Sequence, residues 1–444
     1  MRLRRGILVG VKLRGRTRGE VEEFLEELDR LADTAGFKTV GRVIHSRPSP
    51  DPAYFIGRGK VKEIAEMVKE LKADAVIFDD DLSPAQTRNL EEAFGVEVID
   101  RTTLILDIFA QRARSSEAKI EVELARLQYM MPRLVRRWTH LSRIVGAGPG
   151  GRVGTVGARG PGETQLQIDR RIIRSRITQL KRELKEIERH RRIQRGSREG
   201  MFSAALVGYT NAGKSTLFNR LAHENLFTED KLFATLDPTT RLIYLPGNRK
   251  MLLTDTVGFI RKLPHHLVAS FKATLEEVLE ADLLIHVVDA SHPGAPKQIE
   301  AVNEVLEELG VDEGKPVLMV FNKIDKEEAA SVLPLLRIDY PDAVEISALT
   351  GEGLEELKER LAAEVAKTEV IVNLKLPYAE GELLKKIQRD GFIVESHYTE
   401  KFILLKVRMP RREALKLRKF LFKGDVDVRR DLVEHIQIEA EGGR

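Results

Sequence analysis

The stretch FSAALVGYTNAGKSTLFNRL, residues 202–221, constrains the fold of this chain more than any other. An apolar run, SAALV, feeds a loop of the form G-x-x-x-x-G-K-S, and a helical pattern begins at the lysine. Strand, glycine loop and helix in that order belong to a parallel α/β sheet whose strands end at a phosphate-binding turn. Gly208 and Gly213 permit the loop to close tightly. The backbone from Gly208 through Tyr209, Thr210, Asn211, Ala212 and Gly213 to Thr216 then surrounds phosphate oxygens with N–H groups. Lys214 reaches the β and γ phosphates, and the Ser215 hydroxyl is placed to ligate Mg²⁺.

Three further motifs follow in order. MLLTDTVGF (251–259) is an apolar strand ending at Asp255, a carboxylate placed to hold Mg²⁺ through water. Thr256 and Val257 lead to Gly258, whose backbone N–H is positioned to sense a γ-phosphate. VLMVFNKID (317–325) ends in Asn322, Lys323, Ile324 and Asp325. The Asp325 carboxylate is a pure acceptor, suited to the N1–H and exocyclic amine of guanine. Adenine has no such donor pair, so this residue selects GTP over ATP. VEISALTGEG (344–353) carries Ser347, Ala348 and Leu349, with the Ala348 N–H directed at guanine O6. Four motifs at successive strand ends are where a doubly wound sheet binds its ligand.

The rest of the chain divides around this segment. Residues 1–110 alternate strand and helix patterns and read as a small α/β domain. Residues 111–198 hold two long helical patterns separated by GAGPGGRVGTVGARGPGETQ, with eight glycines between Gly146 and Gly162. The second helix carries an apolar stripe of Leu166, Ile168, Ile172, Ile173, Ile177, Leu180, Leu184 and Ile187, so the two should pack as an antiparallel hairpin. Residues 199–367 form the phosphate-loop domain, with a doubly wound, mostly parallel sheet. Residues 368–444 form a compact appended α/β unit that ends in a strand at LVEHIQIE. The fold class expected is therefore α/β multidomain.

Charge is unevenly spread. From Gln111 to Arg198 there are 22 Lys and Arg against 8 Asp and Glu, a local net of +14 in a chain of net +4, which leaves −10 for the rest. Such polarity suggests that one element meets a polyanion while the remainder stays acidic. The glycine-rich stretch has no G-K-S/T end and no strand feeding it, so it is read as a connector able to lie against RNA. Arg152 and Arg159 within it, and Arg136, Arg137, Arg170 and Arg171 beside it, are the candidate RNA contacts.

The chain has no cysteine, which excludes disulfides and thiolate metal sites. No segment reaches the roughly 18 uninterrupted apolar residues of a spanning helix, and the run after Met1 is short for a secretion signal. The tail EGGR offers no cysteine for prenylation, which disfavours a membrane-signalling role. A cytoplasmic monomer is expected.

Taken together, GYTNAGKST, FATLDPTTR, DTVGF, NKID and SAL resemble the five motifs of a translation-factor-class GTPase. With GARGPGETQ, the following DRR and the upstream YFIGRGK, the whole chain resembles the HflX family of ribosome-associated GTPases. The resemblance implies that Thr235 of FAT coordinates Mg²⁺, with Thr239 and Thr240 as nearby competitors. Phe233, Ala234, Leu236 and Asp237 then complete the first switch beside the nucleotide. Phe259 stands where many GTPases carry a glutamine that orients water. The implied mechanism is direct attack by water on the γ-phosphate, with catalysis by Mg²⁺, Lys214 and the backbone dipole at Gly258. A slow basal rate, raised by a partner, is expected. The resemblance further implies the large (50S) ribosomal subunit and its 23S rRNA as partner, and ribosome splitting, rescue or biogenesis as the task. Two other readings stand beside it: a GTPase acting on free RNA in remodelling or tRNA modification, and a scaffold whose nucleotide is structural.

Weaker signals have plain explanations. Asp79, Asp80 and Asp81 fit a strand end running into a helix started by Ser83-Pro84. FIGRGK (55–60) fits a glycine turn into a helix, and no second phosphate-loop motif supports an ATP site there. His265, His266 and His286 lack partners at ligand spacing and are read as surface and strand residues. Trp138 is read as interhelical packing.

Overall fold

The computed structural model describes residues 3–133, 165–195, 201–222, 232–233, 236–262, 272–312 and 314–422. Its contacts divide the chain into two units. The first comprises Met1–His190, Thr228–Asp237 and Val257–Glu276; the second comprises Arg191–Phe227, Pro238–Thr256 and Glu277–Arg444.

In the first unit, strands β1 (Arg4–Lys12), β2 (Phe37–Ser46), β3 (Ala75–Phe78) and β4 (Glu97–Ile99) form a parallel sheet in the order β2-β1-β3-β4. Helices α1 (Arg18–Thr34), α2 (Arg58–Glu70) and α3 (Pro84–Phe94) connect them. Their ends are set locally. Thr17 and Glu20 make a capping box on α1, and Ser83 with Gln86 makes another on α3. Pro84 starts α3 and left-handed Gly95 ends it. Strand β3 is buried at all four positions, as a strand covered on both faces must be.

Helices α4 (Arg101–Arg112) and α5 (Ser116–Met130) follow, and α5 gives way to a 3₁₀ turn, Met131–Arg133, at Pro132. Helix α6 (Gln165–Arg195) packs on α5 through Leu124, Leu127, Ile173, Leu180 and Leu184. Arg176 locks the pair with two bonds to Glu123 (2.7 and 2.8 Å). Ile172, expected in the apolar stripe, is 49% exposed; it lies about 100° around the helix from Ile173, outside the packed face.

In the second unit a six-stranded sheet runs β10-β9-β8-β5-β7-β6. Its strands are β5 (Ser203–Val207), β6 (Thr239–Leu245), β7 (Arg249–Asp255), β8 (Leu283–Asp289), β9 (Val317–Asn322) and β10 (Val344–Glu345). All neighbours are parallel except the hairpin β6–β7. Helix α7 (Lys214–Ala222) leaves the phosphate loop, and α8 (Lys272–Glu280), which begins in the first unit, precedes β8. Helices α9 (Ala295–Leu309), α10 (Ala329–Asp339) and α11 (Leu354–Thr368) complete the crossovers. One sheet face packs Leu206, Ile285, Val287 and Val320 with Leu217, Phe218 and Leu357; the other packs Val288 and Phe321 with Ile299 and Leu336. This is the expected doubly wound arrangement.

The last segment is a three-stranded antiparallel sheet in the order β11-β13-β12, from β11 (Glu369–Pro377), β12 (Phe392–Tyr398) and β13 (Phe402–Pro410). Helices α12 (Gly381–Asp390) and α13 (Arg411–Lys416) pack on it, with Val372, Leu374, Ile387, Leu405 and Val407 in the core. Together these elements give the α/β multidomain class read from the sequence. The strand expected at LVEHIQIE lies outside the described residues.

Candidate functional site

Strand β5 is apolar and buried on both faces, so it delivers its carboxyl end rigidly to the loop that follows. Gly208 takes φ 145° there, and a Cβ would stand 2.2 Å from Val287 O. Gly213 takes φ 96°, and its Cβ would stand 2.2 Å from Asn322 Nδ2. Both positions exclude any side chain, and Asn211 adds a further positive φ of 62°.

Lys214 is 6% exposed and donates from Nζ to Gly208 O (3.1 Å) and Tyr209 O (2.8 Å). Its ammonium is thus held inside the loop it must serve. Burial pushes its pKa down to about 8, against the opposing pull of Asp255 and with a further push from Lys323. The Ser215 hydroxyl donates to Asp255 Oδ2 at 2.6 Å. These two oxygens, one at the start of α7 and one at the end of β7, are a ligand pair suited to a hard divalent cation. Thr256 Oγ1 donates to Leu206 O (2.5 Å), tying the segment after β7 to β5.

The guanine-type motif meets this loop through one amide. Asn322 Nδ2 donates to Ala212 O (2.8 Å), and its Oδ1 accepts the Ala348 N–H (2.9 Å). Lys323 Nζ donates to Asn211 O (2.8 Å) and to Asp289 Oδ2 (2.6 Å). Burial raises the Asp289 pKa, but Lys323 and two bonds from Ser291 outweigh it and hold the carboxylate below its usual range. Asp325 is exposed, and among the described residues no donor takes its carboxylate. Ser347 is fully buried and accepts the Thr350 N–H at Oγ (3.0 Å), which folds the loop bearing Ala348 and Leu349.

The structure therefore brings Gly208–Thr216, Asp255, Thr256, Asn322–Asp325 and Ser347–Leu349 to one edge of a single sheet. Phe233, Leu236, Asp237, Val257 and Gly258 belong to the first unit. There Phe233 packs edge-on against Phe109 (4.7 Å), and Asp237 accepts the amides of Arg114 (3.1 Å) and Ser115 (3.2 Å). Phe259 is 1% exposed, a buried apolar side chain. Ala234 and Thr235 lie outside the described residues. Of the competing threonines, Thr239 pairs with Asp255 in the β6–β7 register, and Thr240 is bonded to Thr254 (2.9 Å).

Among the RNA candidates, Arg136, Arg137, Arg152 and Arg159 lie outside the described residues, as do the glycine-rich stretch, His265, His266 and Trp138. Arg170 is half-buried and Arg171 exposed on α6. His286 is a strand residue, as expected. It is 1% exposed in β8, and burial with nearby Lys214 lowers its pKa to about 3.

Family models match three consecutive parts of the chain: "GTP-binding GTPase N-terminal" over residues 22–110, "GTP-binding GTPase Middle Region" over 112–198, and "50S ribosome-binding GTPase" over 203–323. The GTPase HflX of Lacrimispora saccharolytica is 47% identical over 388 residues, covering 87% of this chain and 89% of its own. That of Escherichia coli is 47% identical over 396 residues, covering 87% and 90%. The chain belongs to the HflX family of GTPases. A solved GTP-binding protein of Sulfolobus solfataricus in complex with GDP is 28% identical, covering 82% of this chain and 99% of its own, at a TM-score of 0.42.

Two groups of residues in this HflX-family chain escape sequence reading. Asp79 is 2% exposed and pairs with Arg101 (2.8 Å) and Lys262 (2.9 Å), while Asp80 takes Lys262 (2.6 Å) and Arg16 (3.2 Å). Arg101 also donates to Arg261 O (3.1 Å), and the Arg261 guanidinium stacks 3.3 Å over Phe24. The acidic run is thus a receptor for the two cations after DTVGF, besides leading into α3. Burial raises the Asp79 pKa, but Arg101, Lys262 and Arg261 outweigh it and keep the group ionised. The second group is Arg220, whose guanidinium reaches the Ala348–Leu349 loop.

Proposed function

We propose that this HflX-family GTPase is a GTP-driven factor of the large (50S) ribosomal subunit, contacting 23S rRNA through its basic helical segment. The observation that carries the reading is the joining of a guanine-type nucleotide site to a long cationic helix face in a chain whose GTPase segment matches a 50S ribosome-binding family. On α6, Arg171, Arg174, Lys181, Arg182, Lys185 and Arg189 are exposed at helical spacing, opposite buried Ile173, Leu180 and Leu184. They span about 27 Å at 1.5 Å per residue, a stripe matched to a phosphate backbone. Arg170 lies on its flank, and Arg136, Arg137, Arg152 and Arg159 extend the charge in sequence. The functional division follows 1–110, 111–198, 199–367 and 368–444.

At the nucleotide, backbone amides of Gly208–Thr216 cradle the phosphates and Lys214 exchanges its two carbonyl partners for β- and γ-phosphate oxygens. Ser215 and Thr235 would hold Mg²⁺ directly and Asp255 through water. Bound there, the ion neutralises charge on the phosphates. Gly258 N–H marks the γ-phosphate, and Asp325 takes the guanine N1–H and amine. With Phe259 buried and apolar, no side chain at that position orients water, so intrinsic turnover is slow and rises when a partner orders the switch segments. Ribosome splitting, rescue or biogenesis is the task this cycle serves.

Single-turnover GTP hydrolysis, with and without purified large subunits or an equal mass of free RNA, tests the reading. Acceleration by subunits is expected. Equal acceleration by free RNA favours the RNA-acting alternative, and absence of turnover in every arm leaves a structural nucleotide.

A further inference from the structure

The nucleotide site contains a cation that its phosphate and base motifs do not account for. Arg220 stands in the last turn of α7, six residues after Lys214. Its Nε donates to Ala348 O at 3.1 Å, and its Nη2 donates to Leu349 O. The loop it grips is otherwise tightly determined. Ser347 N–H donates to Glu352 O (3.0 Å), and Gly351 N–H donates to Ser347 O (2.8 Å). A Cβ at left-handed Gly353 would stand 2.0 Å from Glu345 O. Ala348 N–H is already given to Asn322 Oδ1. Among the described residues, Leu349 N–H donates to no acceptor.

A trans peptide is planar, with its C=O and N–H pointing in opposite directions. Holding Ala348 O from the Arg220 side therefore turns the Leu349 N–H of the same peptide away from Arg220. We propose that Arg220 is a positioning residue for base recognition, fixing the Ala348–Leu349 peptide so that Leu349 N–H is presented to the 6-oxo oxygen of guanine. This rests on the reading of Asn322, Asp325 and residues 347–349 as the base site. It also refines the expectation that Ala348 N–H serves O6, since that amide is engaged by Asn322. Because Arg220 is carried by the helix that starts at the phosphate loop, base and phosphate recognition share one rigid element.

The test compares GDP with 6-thio-GDP, which keeps the N1–H and the amine but replaces the 6-oxo acceptor with a weaker sulfur. Wild-type protein should bind 6-thio-GDP about tenfold more weakly, the scale of one hydrogen bond. Arg220→Ala should weaken GDP by about tenfold and erase most of the penalty of sulfur, while Arg220→Lys, which keeps a cationic donor, restores much of both. Equal weakening of both ligands by Arg220→Ala would show a merely structural role. An unchanged GDP affinity, or no sulfur penalty in the wild type, would overturn the proposal outright. Asp325→Asn, assayed against xanthosine diphosphate, reports on the base site separately. If it fails to shift preference toward xanthine, the underlying reading fails. If it succeeds while Arg220 is inert, only the present inference does.

Discussion

Lys214 shows how a single residue carries both structure and function. Its ammonium is buried among the loop carbonyls it bonds, and its pKa is held near 8. Phosphate binding favours the charged form, so above that pH nucleotide binding must take up a proton. GTP affinity is therefore expected to fall with pH between about 8 and 9, approaching tenfold per unit. Lys214→Ala should bind weakly at every pH, without that dependence. A flat wild-type profile measured by titration calorimetry in two buffers would contradict it. His286 gives the complementary case. Its folded-state pKa of about 3 lies below the ordinary value of 6.5, so the unfolded chain binds the extra proton. The stability this group contributes is present above pH 6.5 and lost as pH falls toward 3. In His286→Leu the thermal midpoint should lose less between pH 6.5 and 4.5 than in the wild type. Identical acid limbs would show that His286 is not the group being titrated.

At the scale of elements, the legible features are those written in neighbouring residues. The loop at 208–215 and the helix start at Ser83–Pro84 each depend on side chains a few positions apart. The Asp79–Lys262 pair spans 183 residues, and nothing local to either residue announces the other. Arg220 escapes for the same reason, since its acceptors are backbone carbonyls 128 and 129 residues away. The strand position of His286 is legible but its burial is not, because a lone histidine in an apolar strand looks alike whether its side is covered or open. Helix α6 is half legible: its two-faced pattern is plain, but Ile172 shows that the apolar stripe is narrower than the sequence suggests. The basic face makes a quantitative prediction. Replacing Lys181 and Lys185 by Gln should leave GTP binding unchanged and lower the salt slope of large-subunit binding by about 0.9 for each phosphate no longer neutralised. An unchanged slope would remove this face from the interface.

Across the whole molecule, the chain joins a nucleotide site, whose chemistry is read from five short motifs, to a cationic segment of net +14. The two features are useful to each other only if nucleotide state governs docking on a polyanion. Deleting Gly148–Gly160 separates them, since no residue placed at the nucleotide site lies in that stretch. The most direct measurement is co-sedimentation with purified large subunits at moderate salt, in GDP and in a non-hydrolysable GTP analogue, for wild type and for this deletion. A GTP-driven subunit factor pellets with the analogue and stays largely in solution with GDP, and the deletion binds GTP normally but pellets poorly. Wild-type pelleting that is absent, or the same in both nucleotides, would contradict it.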